Sequence, residues 1–319
     1  MKQDDHCNYK ATFVTIVCMF FLGLAFQIPQ AWAIECGDTL SGGEYKLTKN
    51  VMCDSSTGNG AAITLDSDSI LDLNGFAVLC NNTEREGIVL QGRNVKIRNG
   101  VIIGCRNGIV VTGMEHKLKR LFAINNGRDG IIIEESDGNR IKDVHANFNT
   151  RTGINIVKSN GNHVSYSLAA NNGRQGIKID GRTDINVNAA TNNSVYGSAA
   201  YFNCRDGIEI DKGDDNAVID SLAVSNGNQP ACEAFGGSFL PQFYAGFDVT
   251  TGSNGNILKN NKASGNQGCN IEPGEAACVP RERNFWDENA DENGCFSSNS
   301  WENNRFDGET VAPECSPGP

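Results

Sequence analysis

One tetrapeptide, Gly-Ile-x-aliphatic, recurs along the chain and limits its fold more than any other feature. It stands at Gly87, Gly108, Gly130, Gly153, Gly176 and Gly207, and returns as Gly246-Phe247-Asp248-Val249. The steps between these glycines are 21, 22, 23, 23, 31 and 39 residues. A near-constant period of this size marks a repeat architecture, in which each unit buries its apolar face only against its neighbours. Other columns fall into line once the glycines are aligned. Asn126, Asn149, Asn172 and Asn203 stand four residues before the glycine, and Ala123, Ala146, Ala169 and Ala200 seven before. Nine residues after it, Asn139, Asn162 and Asn216 lead into Ile141, Val164 and Val218.

Each repeat thus holds short apolar alternations separated by Asn/Gly turns. Strands this short bury their inward residues by stacking in parallel, each coil about 4.8 Å above the last. The expected fold is all-β: a single right-handed parallel β-helix, a solenoid of about 22-residue coils, its hand following from the rule for parallel crossovers. Asparagine suits the turns because it tolerates left-handed backbone and because stacked amides bond from rung to rung. The glycine lets the chain bend into the strand without a Cβ clash. A solenoid also needs closed ends. Residues 34–62 and 269–319 are expected to be disulfide-bearing end caps around a helix over 63–268, with Ile70-Leu71-Asp72-Leu73 as the first recognisable rung and an irregular last coil near Trp301.

Residues 1–33 read as a signal peptide. An apolar run from Ala11 to Phe26 precedes Ala31-Trp32-Ala33, a small-x-small cleavage pattern, and is shorter than a bilayer span. The mature chain is expected to be secreted or periplasmic, with no membrane insertion after cleavage. The net charge of −11 argues against a duplex nucleic-acid partner. Of 12 cysteines, Cys7 and Cys18 fall in the signal segment, and an even remainder in an exported chain suggests disulfides. Connectivity is not deducible from sequence; nearest-neighbour pairing gives Cys36–Cys53, Cys80–Cys105, Cys204–Cys232, Cys269–Cys278 and Cys295–Cys315. None has a Cys-x-x-Cys spacing, so zinc is not expected.

The Asn-x-x-x-Gly-Ile rungs, the entry Asp72-Leu73-Asn74-Gly75 and the ending Trp301-Glu302-Asn303-Asn304 resemble secreted bacterial right-handed β-helix repeat proteins of the pectate-lyase-like superfold. That resemblance, over roughly residues 60–310, implies company with polysaccharide lyases, polysaccharide hydrolases, uronate epimerases and a periplasmic copper-delivery protein. It is specific for fold and says little about activity.

Two columns carry candidate chemistry. Two residues before each glycine stand Arg85, Arg106, Arg128, Arg151, Arg174 and Arg205. They form either a track for an anionic polymer or a turn position neutralised by Glu86, Asp129 and Asp206. The outward residue of the Gly-Ile strand reads Val89, Val110, Ile132, Asn155, Lys178, Glu209, Asp248, turning from apolar to charged. The apolar half is expected to lie under a covering loop. The two long repeats add loops at about 188–200 and 228–245, the second carrying Phe239 and Tyr244 as candidate sugar-stacking residues. In the charged half, Lys178, Glu209 and Asp248 are candidate catalytic residues, with Lys178 as a possible base. Asp180, Glu209, Asp211 and Asp248 are candidate Ca²⁺ ligands. The blander reading is a solvated charged face in which Lys178 pairs with Glu209. Arg140-Ile141-Lys142 occupies the ordinary Asn-x-Ile slot and carries no hydrolase signature.

The leading expectation is an exported β-helix protein that binds extracellular or cell-surface polysaccharide. The alternatives are a lyase or hydrolase of an acidic glycan acting at 176–250, and a non-catalytic structural or adhesive surface solenoid.

Overall fold

The structure is a computed structural model that describes residues 33–54, 60–81, 84–181, 190–227, 244–270, 279–289, 298–306, 309–310 and 314–315. Residues 1–32, where the signal peptide is expected, lie outside the described residues, as does Phe239.

The described residues contain strands and turns and no helix. The Gly-Ile strands stack into one parallel sheet of 11 strands, from Asp38–Leu40 to Glu314–Cys315, here called the first wall. The rest of each coil builds a second wall. In the middle coils it is one bent strand of 8 residues, such as Lys117–Ile124 and Arg140–Asn147. Higher up it separates into pairs such as His163–Ser165 and Leu168–Ala170. The fold is the right-handed parallel β-helix expected from the repeat. Ile131, Ile133, Ile154, Ile156, Ile177 and Ile179 are fully buried between the walls.

Parallel pairing starts earlier than the sequence pattern indicates, because Asp38–Leu40 already pairs with Ile63–Leu65 and Val51–Cys53 with Ala77–Cys80. At the other end Phe285–Asp287 and Ser300–Glu302 continue the walls. The Cys36–Cys53 and Cys80–Cys105 disulfides are present. Cys204 is disulfide-bonded, and its expected partner Cys232 lies outside the described residues. The same holds for the side chains of the remaining cysteines.

Two buried asparagine ladders tie the coils together. In one, Asn126, Asn149, Asn172, Asn203, Asn226 and Asn266 each donate from Nδ2 to the next Oδ1 or, for the last, to Asn284, at 2.8–3.0 Å. The other runs from Asn139 through Asn162, Asn193, Asn216 and Asn256 to Asn299. Left-handed backbone belongs to different residues. It falls on the position just before the first ladder, as at Phe148 (φ 57°) and Asn171 (φ 54°), so the buried amides serve bonding alone.

The recurring glycine is likewise required by close approach rather than by φ. A Cβ on Gly153 would sit 2.7 Å from the Gly176 carbonyl oxygen and 2.8 Å from both Ala169 Cβ and Asn172 Nδ2. The Gly, Ala and Asn columns are therefore one packing unit.

Candidate functional site

Because Ile177, Ile208 and Phe247 point into the core, the residues that follow them point out from three consecutive strands of the first wall. Lys178 is the register partner of Glu209, Glu209 of Asp248, and Asp180 of Asp211. Trp286 extends the same column beyond Asp248. This face is not solvated: Lys178, Glu209 and Asp248 are 4%, 6% and 3% exposed. The apolar half of the column, Val89, Val110 and Ile132, is half-buried.

Lys178 holds the first of two groups. Its Nζ donates to Asp211 Oδ2 at 2.7 Å and lies 3.3 Å from Asp180 Oδ2 and 3.5 Å from Glu209 Oε1. The other oxygen of Asp211 accepts from Thr250 Oγ1 at 3.1 Å. Burial pulls the Lys178 pKa down, but the carboxylates of Glu209, Asp211 and Asp180 outweigh it and hold the ammonium above its ordinary value. That charge state suits a fixed cation and argues against a role as base.

The second group is Asp206, Glu209 and Asp248, all buried, with one carboxylate oxygen from each within 4.8 Å of the others. Asp206 reaches it from the turn ahead of Gly207. It is held there by the Ala245 amide, which donates to its Oδ1 at 2.6 Å. Asp129 makes the same bond to Thr152 lower in the stack. Burial first, and then the Glu209 charge, push the Asp206 pKa well above the usual carboxylate range. Burial, then Asp206 and Glu209, do the same for Asp248. Three carboxylates this close do not all stay ionised without a counter-charge, which a shared proton or a cation supplies.

The donor set also fits a hard cation such as Ca²⁺, which takes oxygen ligands. Asp248 Oδ1 is buried and has no hydrogen-bond partner among the described residues. Of the four candidate Ca²⁺ ligands, only Glu209 and Asp248 lie in this close carboxylate group. Asp180 and Asp211 turn to Lys178, and Asp206 joins Glu209 and Asp248 in their place.

The arginine column is real as a backbone stack. The amides of Arg106, Arg128, Arg151, Arg174 and Arg205 each donate to the carbonyl of the arginine below. Arg106 pairs with Glu86 at 3.2 Å, Arg128 and Arg151 are half-buried, and Arg174 is exposed. The column ends where Tyr244 takes the same place before Gly246, with the Arg205 guanidinium 5.8 Å from its ring centre. Above the acid group, Arg283 lies 3.7 Å over the Trp286 ring.

Sequence reasoning missed Asp206 as a member of the group, together with Trp286 and Arg283. Asp206 was in view only as a neutraliser of Arg205, and the Trp286 strand lacks the Gly-Ile marker. His116 is fully buried, accepts the Val95 amide at Nδ1, and bonds the Thr112 carbonyl through Nε2.

A family described as the right handed beta helix region matches residues 86–311. The chain belongs to that family. Among solved structures, this β-helix protein is similar to the Dettilon tailspike protein gp208, with 12% identity and a TM-score of 0.55. The match covers 86% of the chain and 60% of the tailspike, so the chain spans less than two thirds of that protein. It is similar to the A-module of the Azotobacter vinelandii mannuronan C-5 epimerase AlgE6, with 16% identity, 88% and 90% coverage and a TM-score of 0.50. The periplasmic alginate epimerase AlgG matches with 12% identity, 84% and 72% coverage and a TM-score of 0.53. At such identities the likeness is one of fold. No curated protein sequence matches the chain.

Proposed function

We propose that the protein is exported and acts on an acidic polysaccharide at the outer face of the first wall. The observation that carries this reading is the Asp206–Glu209–Asp248 group, in which two carboxyls favour the protonated form beside a third. A protonated carboxyl and a carboxylate in one site are the general acid and base that glycan cleavage uses. In this reading Glu209 and Asp248 exchange the proton and Asp206 sets their shared charge. Lys178 stays a fixed cation facing the uronate. Arg128, Arg151, Arg174 and Arg205 offer carboxylate-matching forks along the approach, whereas Tyr244, expected as a stacking ring, is only 7% exposed and packs by Arg205. The partly exposed rim of Asn155, Asp180, Arg174 and Arg205 is where a sugar first makes contact. Export is supported by the disulfides. That two fold neighbours are by name epimerases of mannuronan and alginate is in keeping with a uronate ligand.

Incubation with uronate and neutral polysaccharides tests the reading. An unsaturated product absorbing in the ultraviolet marks elimination, and new reducing ends without it mark hydrolysis. Retention of a uronate polymer with neither leaves a binder and removes the proton-transfer roles; no retention at all rejects the glycan reading.

A second reading is favoured by the unpartnered Asp248 Oδ1: the same three carboxylates hold Ca²⁺, which bridges to a uronate. The two readings differ in pH dependence. With raised carboxyl pKa values, the folded state binds more protons than the unfolded state between the ordinary aspartate range and the raised values. Stability therefore falls as pH climbs through that window. Urea melts of the metal-free protein are expected to show this fall, and Asp248→Asn to flatten it. If Ca²⁺ binds the group, millimolar Ca²⁺ removes the slope in wild type and does nothing to the variant. Equal slopes in wild type and variant would discard the buried-acid account.

A further inference from the structure

A basic ladder runs up the outside of the second wall, away from the carboxylate group. Lys96, Lys117, Arg140 and His163 are successive register partners, and Arg98, Lys119 and Lys142 form a parallel column two residues on. Lys117, Lys119, Arg140 and Lys142 are exposed, and none of the four makes an ion pair among the described residues. Arg98 alone is matched, by Asp72 at 3.0 Å. Like charges directly opposite each other on adjacent strands are unfavourable, and here they recur over three coils of a protein whose net charge is −11. The unbalanced field is visible at His163, beside the Ser194 hydroxyl (2.6 Å from Nδ1). Burial first, and then the Arg140 and Lys142 cations, hold its imidazole below the ordinary value.

The surface beside the ladder is concave. Lys117, Arg140 and His163, with Asn94, Glu115, Gly138 and Gly161, line a groove of about 520 Å³. In the coil above Lys142, beside the second column, the Tyr166 ring is 54% exposed, with Lys142 Nζ 5.3 Å from its centre and Tyr196 edge-on at 5.5 Å. An exposed ring beside a cation suits the apolar face of an anionic sugar.

We propose that this ladder on the second wall is a separate binding site for a linear acidic glycan carrying about one carboxylate per sugar. The rung spacing of about 4.8 Å is close to the rise of one pyranose in an extended chain, so successive carboxylates meet successive cations. A glycan running along the helix axis would touch both columns. A nucleic acid is disfavoured by the acidity of the remaining surface. The site does not depend on the reaction proposed at the first wall.

Calorimetric titration of the Glu209→Gln protein, in which any turnover is slowed, tests the proposal with oligogalacturonate, dextran and a single-stranded DNA oligonucleotide as probes. Oligogalacturonate is expected to bind and to weaken with added salt. The double variant Lys119→Ser/Lys142→Ser should lose about five- to tenfold in affinity, in line with two exposed charge contacts. Lys119→Arg/Lys142→Arg should stay within about twofold. Both pairs are exposed, so the fold is expected to survive, which circular dichroism checks. The site-specific readout is the NMR titration of His163: oligogalacturonate should raise its pKa, and dextran should leave it in place. An unmoved His163 at saturation, equal binding of dextran, tighter binding of DNA, or undiminished affinity of the serine variant would each overturn the site. Absence of turnover in wild type would count against the first-wall chemistry and leave this result untouched.

Discussion

Glu209→Gln is expected to lower the rate of polysaccharide cleavage by roughly 10²–10⁴-fold, the range typical of a lost general acid or base. Glutamine keeps the size of the side chain and its place 3.5 Å from Lys178, so the surrounding packing survives. What goes is the charge that sits between Lys178 on one side and Asp206 and Asp248 on the other. KM should move little, since the arginine column is unchanged. Glu302→Gln is a suitable control: that carboxylate is exposed and paired with Lys259 at 2.6 Å on the second wall. Initial rates by reducing ends or ultraviolet absorbance check the prediction. A Glu209→Gln rate within about threefold of wild type would take Glu209 out of the reaction.

The largest effect on stability is expected from Asn172→Ala. Asn172 is fully buried. Its Oδ1 accepts from both the backbone amide and Nδ2 of Asn149 at 3.0 Å, and its Nδ2 donates to the Ala146 carbonyl and to Asn203 Oδ1 at 2.9 Å. Alanine leaves two donors of Asn149 and the Ala146 carbonyl buried without those partners. At about 1–3 kcal/mol for each of these three groups, the loss should total about 3–9 kcal/mol. The break also falls mid-stack, where each coil depends on the ones above and below. Asn192→Gly is the contrast. Asn192 is exposed and left-handed (φ 56°), a conformation glycine adopts freely, and the change should stay within about 0.5 kcal/mol. Urea denaturation compares the two. A midpoint shift for Asn172→Ala no larger than that for Asn192→Gly would show that the ladder adds little.

The two predictions rest on residues of different legibility. Asn172 was readable from the chain because its column repeats at one distance from the glycine, and parallel stacking makes equal spacing mean equal position. For the same reason the alignment of Lys178 with Glu209 and Asp248 was readable, and the register pairs agree with it. The composition of the acid group was not. Asp206 lies in a turn, where side-chain direction follows from local backbone angles that spacing does not encode. Lys178 was expected to face its register partner, yet its shortest contact is the diagonal Asp211, because a long flexible side chain selects among neighbours by distance and charge.

What the sequence by itself determined, then, is the coil: its period, its inward and outward positions, and the Gly, Ala and Asn columns that lock one rung to the next. These follow from local patterning repeated at a constant interval, and each repeat restates the same instruction. What only the tertiary structure decided is environment. The charged face is buried rather than solvated. Asp206 replaces Asp180 and Asp211 beside Glu209 and Asp248, and the unmatched cations gather on the opposite wall. Burial and charge balance depend on every group that comes near in space, including those one coil away and in the turns. A one-dimensional period places residues in columns, but which groups close around them, and so which protons they keep, is set only when the coils are stacked.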